Sequence, residues 1–417
     1  MPILKISSLF RASIILICYY IITFRLLEDL TLINRILSSQ KIQTSYNDEK
    51  FLTYLPHSGF NNQLISLKNA IILSYVTNRT LIMPSVIIDK EITHSGFDKL
   101  YSKLERSIIM KKARLSSCSH RTNETTNIKD FCHKSNNHHE KFSMMYWDDL
   151  LDFTTLKKRI RIINRGHEFN HESLKKSFES IFYIKENSRY GYQYFDMDNM
   201  KRSLGRQYNK KFFISKFKSR PEKLIHFGSL HGSRRVNLDD KKNKEFLNEV
   251  KESLRFNHPE LNLCIERIIN ELGGLKNYIG VHIRTGERKF GDEMFRIQAN
   301  NTIKTILDQV NHYFLNERFN NTKCQHPIVF LATDAKNPKR TFRTFYSKFS
   351  PCIFSLTDFK HHLDIFNNIK TYDNYKLKKF FMPLVDLLVA SSGGYFVGTD
   401  KSTFSKMAKE IHDFQIA

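Results

Sequence analysis

Apolar positions along this chain fall into short runs closed by turn residues, and their spacing switches between two periods. From about Asn61 to Thr77, Leu64, Leu67, Ile71 and Tyr75 recur at helical spacing, with Ile65, Ile72 and Val76 broadening the stripe. That pattern predicts a helix, with Asn78 as a left-handed stop. Phe51 to Leu55 before it and Thr80 to Met83 after it read as strands, so the segment predicts a β-turn-α-β unit. A second series starts near Lys223 with a strand at Leu224 to Phe227. It continues with an amphipathic helix over Phe246 to Leu254 and another opened by Pro259 and stopped by Gly273-Gly274. Tyr278 to Ile283, Ile328 to Thr333, Cys352 to Leu356 and Tyr395 to Gly398 are further strands. An apolar helix, Leu384 to Ala390 with Pro383 at its first turn, precedes the last of them. Strands alternating with helices predict an α/β fold. The expected organisation is a first Rossmann-like domain over 51–222, carrying a polar insertion at 116–141, and a second over 223–417.

The start of the chain reads differently. Ala12 to Phe24 is continuously apolar, with Lys5 and Arg11 before it and Glu28 and Asp29 after it. Positive charge on the leading side predicts a membrane anchor at 1–30 with its N-terminus in the cytosol, followed by a polar stem at 31–50. The expectation is a single-pass type II protein of the Golgi or endoplasmic reticulum membrane, its catalytic body in the lumen. A lumenal body suits Cys118 with Cys132 and Cys324 with Cys352 as disulfide pairs, and the Asn-x-Ser/Thr triplets at Asn78, Asn123, Asn300 and Asn320. The formal net charge of +24 suits an acidic partner, but dispersed basic residues do not say which one. No short nucleic-acid-binding signature accompanies that charge, and nucleic acid is not expected as a partner.

Candidate chemistry gathers at strand ends. In Tyr278 to Glu287, alternation puts Ile279, Val281 and Ile283 on one face and His282 and Arg284 on the other, just before a Gly turn. A His and an Arg at the C-terminal end of an apolar strand suit an anionic ligand. Asp334 is an acid at the tip of a second buried strand. Gly59, Phe60, Asn61, Asn62 and Gln63 form a turn that opens a helix; its amides suit a ligand, or the Asn residues merely cap. Asp386 is the lone charge in an apolar helix and needs a donor, either a ligand or a buried group of the protein. Ser402, Thr403 and Phe404 lead into the last helix, where hydroxyls serve either as a phosphate cradle or as an N-cap. Asp196 and Asp198 form an Asp-x-Asp pair of the kind that holds a nucleotide-sugar through a divalent ion.

Three separated stretches together resemble the motifs of the GDP-fucose protein O-fucosyltransferase superfamily. They are Gly59 to Gln63 with Asn78 to Pro84, Val281 to Glu287, and Asp386 with Tyr395 to Ser405, and the resemblance spans about residues 51–415. It implies a GT-B architecture, two Rossmann-like domains facing a cleft. It also implies inverting, metal-independent transfer of fucose from GDP-fucose to a protein or glycan hydroxyl, with the donor substrate but no cofactor. By position, Arg284 matches the arginine that grips the diphosphate and Asn62 the asparagine near the sugar and acceptor. Gly59, Phe60 and Asn61 frame that asparagine. His282 and Asp386 match guanosine contacts, and Thr403 and Phe404 match a phosphate-contacting hydroxyl and its aromatic neighbour. One branch of the superfamily carries a glutamate where this chain has Ser58, so a carboxylate base is missing there; Glu287 and Asp292 are candidates by position alone. Two other expectations stand beside this one: a metal-dependent transferase using Asp196 and Asp198, and a non-catalytic glycan- or nucleotide-binding protein of the same architecture.

Overall fold

The computed structural model describes residues 49–88, 92–119, 142–167, 169–198, 203–285, 303–312, 324, 327–400 and 402–416. The expected anchor and stem, most of the polar insertion, Glu287 and Asp292 lie outside these residues. Among the described residues no helix is long and apolar enough to cross a membrane.

Five parallel strands make the first sheet: β1 (Phe51–Tyr54), β2 (Thr80–Met83), β3 (Ile162–Asn164), β4 (Ile181–Ile184) and β5 (Leu224–Phe227). Their order is β3-β2-β1-β5-β4. Helix α1 (Phe60–Thr77) crosses from β1 to β2 and buries Leu64, Leu67 and Ile71, the stripe expected of it. Asn78 closes it at φ 52° and ψ 52°, donating its N–H to the carbonyls of Ser74 and Tyr75. Helices α2 (Phe97–Ser119) and α3 (Lys241–Ser253) follow, and Phe246 of α3 stacks on Tyr75 of α1 at 3.9 Å.

The expected boundary at 222/223 cuts through this sheet, because β5 pairs in parallel with β1 on one side and β4 on the other. A strand buried along its whole length, as β5 is, reads the same in the middle of either sheet. Position in the chain therefore did not reveal which sheet would take it.

The second sheet is also parallel, with β6 (Tyr278–Ile283), β7 (Ile328–Thr333), β8 (Ile353–Ser355) and β9 (Tyr395–Gly398) in the order β8-β7-β6-β9. All six residues of β6 are buried. Ile279, Val281 and Ile283 share one apolar cluster with Val329, Leu331, Phe345 and Val397. The opposite face meets a helix. α4 (Pro259–Glu271), α5 (Lys378–Ser391) and α6 (Thr403–Ile416) belong to this half, and α5 lies so close to β6 that a Cβ built on Gly280 would sit 1.8 Å from the carbonyl oxygen of Ala390. Tyr278 fixes the same contact by donating its hydroxyl to the Val389 carbonyl at 2.6 Å.

Pro383 does not open α5, as the pattern suggested, but lies inside it. A proline in a helix interior removes one hydrogen bond and costs about 3 kcal/mol. The residues before it offset that cost. Phe381 is fully buried, and Phe380 packs edge-on against Phe60 at 5.7 Å. The same Phe60 touches Trp147 at 5.7 Å and Phe256 at 6.0 Å, so it joins the start of α1 to the second half of the chain. Lys68 of α1 pairs with Glu410 of α6 at 2.5 Å, and Lys111 of α2 reaches Asp373 at 2.5 Å. Cys324 and Cys352 form a disulfide, as expected, and Cys264 is buried and free. The expected pair of Cys118 with Cys132 lies outside the described side chains.

Gly280→Ala is expected to destabilise the fold by about 3 kcal/mol or more, because the Ala390 backbone leaves no room for a methyl group. Gly59→Ala, where a Cβ meets nothing within 4 Å, is expected to cost less than about 1 kcal/mol. Urea denaturation of the two variants checks both, and equal losses would contradict the close packing of β6 on α5.

Candidate active site

The site begins with register. Ile283 lies opposite Thr333 on one side of β6, and His282 opposite Gly398 on the other. One step further along, Arg284 falls beside Asp334, and Thr399 arrives beside the end of β6. The Thr399 hydroxyl accepts the Arg284 N–H at 2.9 Å and donates to the His282 carbonyl at 3.2 Å. On the other side Thr333 donates its hydroxyl to the Ile283 carbonyl at 2.7 Å.

The Asp334 carboxylate divides its two oxygens. Oδ1 accepts the N–H of Thr285 at 2.7 Å and its hydroxyl at 2.9 Å. Oδ2 stands 3.6 Å from Nε of Arg284. The guanidinium is half exposed, and among the described residues no acceptor takes its two terminal nitrogens. A carboxylate that faces Nε orients the fork and leaves its outer edge for another anion.

His282 is buried, its ring stacked on Phe404 at 4.2 Å, with Nδ1 2.7 Å from the hydroxyl of Ser405. Burial lowers its pKa to about 3, against the pull of Asp334, so it is neutral at ordinary pH. Thr403 opens α6, as expected. The Ser402 hydroxyl takes the Ser405 N–H at 3.4 Å, so it caps the helix.

Asp386 sits on α5, one turn before Ala390 and on the same side of the helix. The end of α5 lies at the beginning of β6, where the Gly394 N–H donates to Tyr278, so α5 runs against the strand. Asp386 is thereby carried toward the His282 end of β6. Its Oδ1 is buried without a hydrogen bond among the described residues, and burial raises its pKa well above the carboxylate range. A buried carboxyl whose burial favours the protonated form, with an oxygen that no described group bonds, suits a ligand donor.

The first-motif residues form a second cluster, at the C-terminal ends of β1 and β5. Gly59 has φ −70°, and the left-handed residue of this turn is Ser58 at φ 67°. Gln63 clamps this loop, donating from Nε2 to the carbonyls of Ser58 at 3.0 Å and Ile87 at 2.9 Å. Asn61 and Asn62 are half-buried in the first turn of α1, and the Asn62 Oδ1 is buried without a partner among the described residues. Three histidines crowd against them: the His57 ring lies 5.1 Å from that of His94 and 6.0 Å from that of His231. Burial holds all three neutral, His94 and His231 with pKa values lowered to about 4 and His57 well below its usual value. Sequence reasoning passed over them. The signal was there in the register: Tyr54 pairs with Phe227, so the loops leaving adjacent strands carry His57 and His231 to the same place.

The Asp-x-Asp pair is otherwise engaged. Asp196 accepts the N–H groups of Asp239 at 2.8 Å and Asp240 at 3.1 Å, and Asp198 accepts the Ser215 hydroxyl at 2.7 Å. Their carboxylates thus hold different loops. The Gly-bearing basic loop after β5 also turns inward: Arg235 is fully buried in an ion pair with Glu186. Among the described residues one trio has metal-ligand spacing, Glu271, His361 and His362, and it includes none of the residues expected at the site. A cavity of about 440 Å³ opens between the halves, lined by Tyr146, Asp149, His167, His258 and Tyr372 among others. It lies beside Trp147, on which Phe60 packs, and not at Arg284.

The family model for GDP-fucose protein O-fucosyltransferases matches residues 51–415. The chain belongs to that family. Within this fucosyltransferase family, the chain resembles O-fucosyltransferase 30 of Arabidopsis thaliana, 54% identical over 39 residues; that match takes in 9% of this chain and 8% of the relative. Among solved structures, POFUT1 in complex with GDP aligns at a TM-score of 0.44 and 12% identity, covering 89% of this chain and 96% of that one. NodZ alpha-1,6-fucosyltransferase soaked with GDP-fucose aligns at 0.41 and 13%, covering 87% and 93%.

Neutral buried histidines make this fucosyltransferase-family chain acid-sensitive. Between pH 6.5 and about 4 the unfolded chain binds protons that folded His282, His94 and His231 refuse, so stability is full above that window and falls as pH drops through it. Chemical denaturation across this range is expected to show the fall. His282→Asn should make it shallower by up to about 1.4 kcal/mol per pH unit, and an unchanged slope would contradict a neutral buried imidazole.

Proposed function

We propose that the protein transfers fucose from GDP-fucose to a hydroxyl group, with inversion and without a required metal, in a GT-B arrangement whose second half holds the nucleotide. The observation that carries this reading is a half-exposed guanidinium at the end of β6 whose terminal nitrogens have no acceptor among the described residues, oriented by Asp334. As the sugar–phosphate bond breaks, charge builds on the departing diphosphate. Arg284 is placed to receive it as two parallel hydrogen bonds, and the start of α6 offers N–H groups and the Thr403 hydroxyl. The neutral His282, stacked on Phe404, and Asp386, whose burial favours its protonated form, suit the guanosine end, where donors and acceptors matter more than charge. Asn62 supports the sugar side, its amide oxygen awaiting a donor.

Family membership supports the donor, and the engagement of Asp196 and Asp198 by protein groups favours this reading over a metal-bridged one. We take the acceptor to be a protein or glycan hydroxyl entering near the first-motif loop. The apolar stretch at 12–24, with its charge asymmetry, supports a type II anchor and a lumenal body in the Golgi or endoplasmic reticulum.

Arg284→Ala is expected to lower GDP release from GDP-fucose by about 100- to 1,000-fold with the fold intact, and Arg284→Lys to recover only part of it. Turnover measured with and without EDTA checks both halves of the proposal. An Arg284→Ala protein that releases GDP at the normal rate, or a wild-type activity abolished by chelation, would contradict it.

A further inference from the structure

Donors for the leaving group leave a second question open, the destination of the acceptor's proton. Asp334 is committed to Thr285 and Arg284, Asp196 to backbone amides, and burial pushes the Asp386 carboxyl toward its protonated form. The loop between β1 and α1 holds a different kind of base. Ser58 is half-buried next to the exposed Gly59, on a side of the loop where nothing stands within 4 Å of a built Cβ. Its φ of 67° is uncommon for a residue with a side chain, and it is held there from both sides. The Ser58 N–H donates to Ile92 at 2.7 Å, and its carbonyl accepts from Gln63 at 3.0 Å. This backbone aims the hydroxyl at Nδ1 of His57, 2.8 Å away. Nε2 of the same ring lies 2.8 Å from the hydroxyl of Ser229. With Nε2–H donated to Ser229, Nδ1 presents its lone pair to Ser58.

We propose that Ser58 and His57 form a proton relay for the acceptor, Ser58 touching the acceptor hydroxyl and His57 holding the proton behind it. The relay rests on the fucosyl-transfer reading. As the acceptor oxygen bonds to C1 of the sugar, the C1–O bond to phosphate breaks and its electron pair leaves with GDP. The acceptor's proton passes to Ser58 Oγ while the proton already on Ser58 passes to His57 Nδ1, so the serine ends neutral and the imidazole ends as imidazolium. Around that ring stand His94, His231, Arg189 and Arg235, the last paired with Glu186. Burial first, and these neighbours second, make His57 a weak base that accepts a proton only once the acceptor oxygen has begun to bond, and it returns the proton to water when product leaves. The Asn62 amide oxygen, buried in the first turn of α1 without a partner among the described residues, is placed to orient the same acceptor.

The test needs no identified acceptor, because water and azide serve as nucleophiles with and without a proton to lose. Ser58→Gly removes the hydroxyl at a backbone angle glycine accepts, and His57→Gln removes the base while keeping a polar side chain. Both are expected to slow GDP release from GDP-fucose in water by about 10- to 100-fold, with the Kd for GDP unchanged. Azide should restore most of that loss and give fucosyl azide, a rescue that a merely structural defect would not allow. Variants that hydrolyse the donor normally, or that bind GDP normally yet are not rescued by azide, would overturn the relay while leaving the transferase reading standing. A wild-type protein that neither binds GDP nor releases it from GDP-fucose would overturn that reading, and the relay with it.

Discussion

The end of β6 is tied down from both sides, and the site follows from that constraint. A strand in the middle of a parallel sheet leaves its last carbonyls and N–H groups without a continuing ladder. Here side chains from the two neighbouring strand ends take them: Thr399 bridges His282 and Arg284, Thr333 caps Ile283, and Asp334 binds Thr285. The result is a pinned strand end whose arginine, oriented by Asp334, keeps terminal nitrogens that no described acceptor takes.

The close approach of α5 to β6 sets the depth of the opposite wall. Gly280 admits the helix backbone, and the helix then delivers Asp386 along the face shared with His282. An apolar helix can lie this close only where a strand has no side chain. The carboxyl it carries is consequently desolvated and pushed toward its neutral form, and burial likewise favours the neutral form of His282. The charge beside it is the ion pair of Arg284 and Asp334.

Much of this was legible from residue order. Alternation along Tyr278 to Ile283 separated the core face from the face bearing His282, and the stripe from Leu64 to Tyr75 gave α1 and its Asn78 stop. Asp334 was visible as an acid at a strand tip, but its pairing with Arg284 depended on a register that one sequence does not contain. The same limit hid β5, whose membership of the first sheet is a long-range choice, and the histidine cluster, which exists only because β1 and β5 are neighbours. Pro383 misled for a different reason: local propensity yielded to the packing of Phe380 and Phe381.

On the proposed reading the two halves divide the chemistry, one presenting a cation to the diphosphate and the other a ring of neutral polar groups to the sugar and acceptor. A crystal structure of the protein with GDP tests this division most directly. The account predicts diphosphate oxygens about 3 Å from the terminal nitrogens of Arg284 and from the first amides of α6, with the base over His282 and Phe404. A diphosphate bound elsewhere, with Arg284 turned to solvent, would contradict it.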